Sequence, residues 1–322
     1  MMNDSILKIE NLMVYFNTEH GIVRAVNDIS WEIAAGETLG IVGESGCGKS
    51  VSVLSILRLI PEPPGEIVSG KILFNNKDIL RLSESEIRKI RGNEISMVFQ
   101  DSISSLNPSY TIGNQILETL RLHQGISGKT ARKKAIEILK AVGIASPEQR
   151  MREYPHQLSG GMNQRVMIAI ALSCNPKVLI ADEPTTALDV TIQAQIMSLF
   201  KDIRKKSNMS IVMITHDLGL VAQLVERVIV MYAGKIVEEG SIKTIFKNPH
   251  HPYTVGLLKA IPKVKKNKER LEEIPGVVPN LIDPIKGCVF YPRCKSRMEI
   301  CLEKEPPLKE IGSAHKSRCW LT

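Results

Sequence analysis

Apolar runs of four to eight residues, separated by Gly, Pro and polar clusters, recur along the 322-residue chain. Partial two-residue alternation through Ile22, Arg24, Val26 and then Ile29, Trp31, Ile33 predicts strands at 6–16 and 21–33, with a turn at Thr18–Gly21. Leu39–Val42 is an unbroken apolar run of the length of a buried strand, and the periodic segment Val51–Ile60 reads as a helix. Pro61-Glu62-Pro63-Pro64-Gly65 breaks the pattern before a strand at Gly70–Phe74. Ser83 with Glu86 three positions on is a capping-box signature for a helix start. Ile95–Phe99 is a short apolar run ending at Gln100, and 101–110 reads as a loop. Helices follow at 115–122 and 130–142, the second stopped by Gly143. Val166, Ile168, Ala169, Ala171 and Leu172 form another helix face, ended by Asn175-Pro176. Then come a strand run at Val178–Ala181, an amphipathic helix at 191–206 and a strand at Ile211–Ile214. A closing hairpin joins Val228–Tyr232 to Lys235–Glu238 around Ala233-Gly234. Alternating strands and helices predict a largely parallel α/β sheet. An antiparallel sheet precedes it, and a helical subdomain at about 101–177 interrupts it.

The polar residues that punctuate this pattern are not scattered. Gly43, Gln100, Asp182 and His216 each fall just beyond a predicted strand end, where α/β sheets collect ligands. Gly43-Glu44-Ser45-Gly46-Cys47-Gly48-Lys49-Ser50 lies between a strand and a helix, the context of a phosphate-binding loop. Its glycines let backbone N–H groups turn toward an anion, and the helix N-terminus adds unsatisfied donors and partial positive charge. Lys49 can reach the β- and γ-phosphates, and the Ser50 hydroxyl can ligate Mg²⁺. Asp182 can hold the same Mg²⁺ and Glu183 can polarise an attacking water. Two acids at a strand end also suit a solvated turn; the phosphate loop upstream favours the catalytic reading. Leu158-Ser159-Gly160-Gly161-Met162 is a second glycine turn opening a helix. Cys47 fills a variable position of the loop, and a helix N-terminus there would lower its thiol pKa and make it reactive without nucleotide. Tyr15 and Phe16, at the end of the first strand, could stack on a base, although the pattern alone favours a core role.

Gly43–Ser50, Gln100, Leu158-Ser159-Gly160-Gly161, Asp182-Glu183, Ala187-Leu188-Asp189 and His216 occur in the order of an ABC transporter ATPase. They resemble its phosphate loop, Q-loop, signature, Walker B, D-loop and H-loop across residues 5–260. The resemblance implies a RecA-like P-loop NTPase core, ATP and Mg²⁺ as ligands, and two ATPase subunits packed head to tail. Ser159, Gly160 and Gly161 would then meet the γ-phosphate bound by the partner. Gln100 would sense Mg²⁺ and water where the ATPase meets its membrane subunit. His216 would clamp the γ-phosphate with Glu183 as base, and Asp189 would belong to the D-loop. Phe16, with Tyr15 as alternative, matches the aromatic that stacks on adenine. Asn163 stands where many relatives have a basic residue, with no expected loss of function.

The tail narrows the resemblance. Asn248-Pro249-His250-His251-Pro252-Tyr253-Thr254 and Gly287-Cys288-x-Phe290-x-Pro292-Arg293-Cys294 are similar to the C-terminal extension of dipeptide and oligopeptide importer ATPases, a subgroup that includes nickel importers. The implied division is a nucleotide-binding domain over 1–260 and an extension over 261–322. Adjacent His250 and His251 do not share a helix face, which favours a structural role. Four of the six cysteines, Cys288, Cys294, Cys301 and Cys319, fall in the last 35 residues. Their thiolates could bind Zn²⁺ or an iron–sulfur cluster, or the cysteines could stay free or pair as disulfides. A reducing cytosol argues against disulfides, and the wide, uneven spacing lacks the tight knuckles of zinc sites. That favours a [4Fe–4S] cluster, which similar members of the subgroup carry. A metal-binding staple would also explain how a tail poor in apolar residues folds.

Composition adds little beyond this. The chain is 43% hydrophobic and 24% charged, with net charge +8. No apolar run reaches the ~18–20 residues of a spanning helix, and the N-terminus reads as lacking a signal peptide. The expected place is the cytoplasmic face of the cell membrane, held there by partners. These would be a second ATPase subunit (a heterodimer, with a homodimer as alternative), two membrane permeases and, indirectly, an external solute-binding protein. The basic run Lys263, Lys265, Lys266, Lys268, Arg270 reads as a solvated linker. A soluble ABC ATPase using a basic tail on nucleic acid is the competing class. One set of motifs and no long coiled-coil insertion argue against it, and no nucleic-acid partner is expected. Intact Glu183 and His216 argue against a non-catalytic module. An importer of nickel or another small solute is the nearer alternative to a peptide importer.

Overall fold

The computed structural model describes residues 5–186, 188–261 and 273–322. The basic run at 263–270 and Ala187 of the D-loop lie outside the described residues. The chain divides into two compact units, one made of the segments up to Leu80 and from Met213, the other of Arg81–Val212.

The first unit opens with an antiparallel sheet in the order Gly21–Ala34, Ser5–Thr18, Gly65–Phe74, Lys77–Asp78. Leu7 and Ile9, then Leu12 and Val14, are fully buried. The step from Ile9 to Leu12 breaks the alternation, and the strand register slips at the same place. Asn11 sits there at φ 47° and its side chain donates to Asp28 (2.9 Å). An inserted residue of this kind keeps the apolar face inward across a bulge. It also explains why the alternation is only partial in sequence.

The wholly buried strand Thr38–Val42 pairs in parallel with Arg227–Tyr232. The latter turns back through Ala233 (φ 47°) and Gly234 (φ 78°) into Lys235–Ser241. Two left-handed residues in a row are what a tight two-residue hairpin needs. His315–Ser317 pairs with Lys235–Ser241, and Lys309–Gly312 pairs with His315–Ser317. The tail therefore adds two strands to this sheet, which the sequence pattern does not predict. It also buries Phe290 against Tyr232, Tyr253 and His251, with ring centroids 5.2, 5.5 and 5.7 Å apart. The tail thus has sheet pairing and an aromatic anchor besides any staple.

In the second unit Ile95–Val98 and Val178–Asp182 form a buried parallel pair. Around them stand helices Ile112–Gln124, Gly128–Ala141, Gly160–Leu172 and Val190–Lys206. Side chains cap three of them: Thr111 accepts from Asn114 N–H, Ser159 from Met162 N–H and Asp189 from Ile192 N–H. The Ser83–Glu86 capping box forms at the start of Glu84–Ile90. Ser210–Thr215, within which the division between the units falls, is buried throughout, and exposed His216, of the first unit, follows it. Among the described residues, no helix is long and apolar enough to cross a membrane.

Candidate functional site

The first unit holds the phosphate loop. The helix after it, Lys49–Ile56, is shorter than predicted; Leu57 caps it and Arg58 leaves it at φ 50°. Its N-cap is Gly48 at φ 95°, with no side-chain cap and no acidic residue in the first turn. A Cβ on Gly48 would lie 2.2 Å from the Ala25 carbonyl oxygen, and one on Gly43 2.2 Å from that of Met231. Glycine is required at both points because backbone, not a movable side chain, blocks the space. Ser45 and Gly46, at the loop tip, are exposed, whereas Lys49 is only 4% exposed. The Lys49 ammonium donates to the carbonyls of Gly43 (2.8 Å) and Glu44 (2.9 Å). Half-buried Ser50 follows it in the first turn. Backbone donors, a helix N-terminus and a lysine at one loop make an anion site.

Cys47 departs from expectation. It is fully buried, and desolvation pushes its thiol pKa up, outweighing nearby Lys49. The helix N-terminus does not make it a reactive thiol.

The loop is also held from behind by residues far along the chain. The Glu44 N–H donates to Tyr253 Oη (2.8 Å). Arg293 Nη1 donates to both Glu44 carboxylate oxygens, at 3.0 and 2.9 Å. Both residues stand inside quoted tail motifs, but nothing in the sequence links them to the loop. His251, next to Tyr253, is buried and caps helix Pro252–Lys259 by accepting the Tyr253 N–H on Nδ1 (3.1 Å). Burial pulls its pKa down to about 3, so the ring is neutral and can act as that acceptor. Glu238, fully buried, accepts the N–H groups of His250 and His251 and bonds His315 Nε2 at 2.8 Å. The histidine pair is structural, as its spacing implies.

Tyr15 and Phe16 are half-buried at the end of the first strand. Arg24 lies over the Tyr15 ring at 5.7 Å, and Phe16 pairs with Val23 and Gly65 across the sheet.

The second unit holds the acids. Asp182 ends its strand 4% exposed, and Glu183 follows, 9% exposed, with φ 45°. A non-glycine residue held left-handed stores strain of the kind found at functional positions. Glu183 Oε2 accepts from Gln100 Nε2 (3.1 Å) and Thr186 Oγ1 (2.8 Å). The structure thus joins Gln100 to Glu183, and adds Thr186, which sequence reasoning missed. Ser159 and Gly160 are exposed at the start of their helix, and Asp189 is an exposed cap. Asn163 is buried and donates to the Pro155 carbonyl (3.1 Å), an anchoring role that a neutral amide fills.

The four tail cysteines are free and line one void of about 10 Å³, together with His251, Tyr291 and Trp320. Burial raises the thiol pKa values of Cys288 (to about 11), Cys294 and Cys319, and neighbouring thiols add to the rise. Among the described residues, no group of three or more His, Cys, Asp or Glu is placed to hold a metal ion. The expected metal-binding extension is therefore found as four thiols around a gap, not as a closed ion site.

Comparison with known proteins agrees with both ends of the chain. A family model for ABC transporters matches residues 26–186, and one for the oligopeptide/dipeptide transporter C-terminal region matches 237–301. The dipeptide transport ATP-binding protein DppD of Bacillus subtilis is 51% identical over 99% of this chain and 95% of its own length. DppD of Escherichia coli is 50% identical over 98% and 96%. The oligopeptide transport ATP-binding protein OppD of Bacillus subtilis is 51% identical over 98% and 88%. Among solved structures, the dimeric post-hydrolysis state of the ATP-binding cassette MJ0796 with ADP and Pi superposes with TM-score 0.66 at 32% identity. It covers 73% of this chain and 98% of that one. With such identity over nearly its whole length, and with both families matched, the chain belongs to the ABC transporter family, among the ATP-binding subunits with an oligopeptide/dipeptide-type C-terminal region.

Proposed function

We propose that this protein is the ATP-hydrolysing subunit of a peptide importer. The observation that carries the reading is the phosphate loop itself: left-handed glycines, an uncapped helix N-terminus and Lys49 at one anion site, in a chain about half identical to named dipeptide and oligopeptide transport subunits. The resident ligands are ATP and Mg²⁺. Ser50 and Asp182, with Gln100, would hold the metal, which neutralises phosphate charge when bound. Glu183 takes the proton from an attacking water, and the Gln100 and Thr186 hydrogen bonds fix its carboxylate. His216 steadies the γ-phosphate, and Phe16 or Tyr15 stacks on adenine. Exposed Ser159 and Gly160, with half-buried Gly161, complete the site of a second ATPase subunit, and Asp189 lies at that contact. The related cassette MJ0796 is itself dimeric, which supports this arrangement. Two membrane permeases hold the pair on the cytoplasmic face of the membrane, fed by a solute-binding protein outside. The cassette spans 1–260, with its helical subdomain near 101–177 and the extension over 261–322.

The four tail cysteines line one void, and their wide, uneven spacing in sequence favours a [4Fe–4S] cluster over one Zn²⁺. Cys288, Cys294, Cys301 and Cys319 would ligate the iron and stabilise the tail, with no electron-transfer role required. Anaerobic purification followed by iron, sulfide and zinc analysis tests this. A colourless protein with one zinc per chain would overturn it.

The function is tested in proteoliposomes holding the whole transporter. Peptide-loaded binding protein should stimulate ATP hydrolysis and peptide uptake, and Lys49→Ala should abolish both. Stimulation by Ni²⁺ and not by any di- or oligopeptide would replace the peptide reading with the small-solute one.

A further inference from the structure

The phosphate loop carries an acid, Glu44, at its second position, beside the place where the phosphates should sit. An anion next to an anion site weakens binding unless something neutralises and holds it. We propose that Arg293 is a positioning residue for the phosphate loop, acting through Glu44, so that the fold of the C-terminal extension sets nucleotide affinity.

The geometry is that of a fixed clamp. The Arg293 side chain is 4% exposed. Its Nε donates to the Pro275 carbonyl (2.9 Å), Nη2 to the Ile274 carbonyl (3.1 Å) and Nη1 to Tyr232 Oη (3.4 Å), besides the two contacts with Glu44. Tyr232 also lies under the guanidinium, 5.7 Å away. The cation is therefore immobile before Glu44 reaches it, and the half-exposed acid adapts to the arginine. Tyr253 holds the same residue by its backbone N–H, so side chain and main chain of Glu44 are both pinned. The pinning groups form one block, since Tyr253 packs on Tyr232 with centroids 4.6 Å apart and both touch Phe290. Phe290 and Arg293 both lie between Cys288 and Cys294 in sequence, so the block and the thiol-lined void share one stretch of chain. A change in the extension must move the clamp, and a change in the loop must be felt in the extension.

A purely structural ion pair would raise stability without touching nucleotide affinity, and the two roles separate by experiment. The inference rests on the loop's being the nucleotide site. Mg-ADP is titrated calorimetrically into the full-length chain, alongside Arg293→Met and Arg293→Lys. Thermal melts establish that each variant is folded. Losing the charged hydrogen bonds to a loop that must be ordered should weaken Mg-ADP about tenfold in Arg293→Met. Lys, which keeps the charge without the fork, should fall between, and adding Glu44→Gln to the Met variant should recover part of the loss. Hydrogen exchange over 287–302 should slow when Mg-ADP binds the wild type, and not in Arg293→Met. Wild-type affinity in folded Met and Lys variants, or nucleotide-insensitive exchange in the wild type, overturns the coupling. A wild-type chain that binds no Mg-ADP would instead overturn the site reading beneath it.

Discussion

Glu183→Gln should separate hydrolysis from binding. The carboxylate accepts two hydrogen bonds on Oε2, from Gln100 at 3.1 Å and Thr186 at 2.8 Å. Gln has the same length, and its amide oxygen can go on accepting both. The fold should therefore lose about 1 kcal/mol or less, the net worth of one imperfect hydrogen bond. What disappears is the negative charge and the affinity for a proton. General-base catalysis contributes roughly 10²–10⁴-fold, or about 3–5 kcal/mol of the barrier. The expected outcome is a kcat lowered by that factor with KM for ATP nearly unchanged, since the lost interaction belongs to the transition state. Steady-state hydrolysis by the reconstituted transporter gives kcat, and calorimetry on the purified chain gives affinity. Glu183→Gly serves as control. It removes the left-handed strain at φ 45°, of order 1–3 kcal/mol, while losing the two side-chain bonds. Its melting temperature should stay near the wild-type value although hydrolysis is lost. A Gln variant retaining more than about a tenth of wild-type kcat would refute Glu183 as base, because no general base is worth so little.

Three further outcomes follow from the geometry. Gly48→Ala places a Cβ 2.2 Å from the Ala25 carbonyl oxygen at a φ of 95°, so the loop must shift; a fluorescent ADP analogue should lose binding by at least about tenfold while the chain stays folded. Arg227 bonds Glu37 Oε1 (2.8 Å), the Glu239 carboxylate and the Glu32 carbonyl, so Arg227→Met strands two acids and should cost about 3 kcal/mol in urea unfolding; Lys316, 3.3 Å from Glu239, caps the loss, and an unchanged midpoint would contradict the network. Cys47 should resist alkylation at pH 8 in the folded chain and react on denaturation, because burial raises its pKa; peptide mass mapping that finds it labelled as fast as an exposed thiol would refute that.

What was legible in the sequence was whatever local chemistry dictates. Strand runs such as Leu39–Val42 and Val178–Ala181, the Ser83–Glu86 box and the phosphate loop each depend on a few adjacent residues, and each appears where its own pattern puts it. Helix ends were less legible. The helix predicted at 115–122 begins at Ile112 because Thr111 caps it, and the one predicted at 51–60 stops at Ile56 because Arg58 turns left-handed. The tail strands leave no pattern in the sequence because Lys309–Gly312 and His315–Ser317 carry little apolar alternation; they are strands by virtue of an existing sheet edge.

The same reasoning explains the misreading of Cys47 at the loop. A helix N-terminus lowers a thiol pKa only where solvent or a cation can stabilise the thiolate. At Cys47 burial removes the solvent, and desolvation wins over the dipole. The hydroxyl that holds the Glu44 N–H belongs to Tyr253, 209 residues along, and the charge that balances the Glu44 carboxylate to Arg293, 249 residues along. No local pattern can encode a contact between residues so distant in the chain. A phosphate loop read alone is a general nucleotide motif, but this one is shaped by a C-terminal region that other ATPases need not possess. That is why its affinity for nucleotide should be sought in the extension as well as in the glycines.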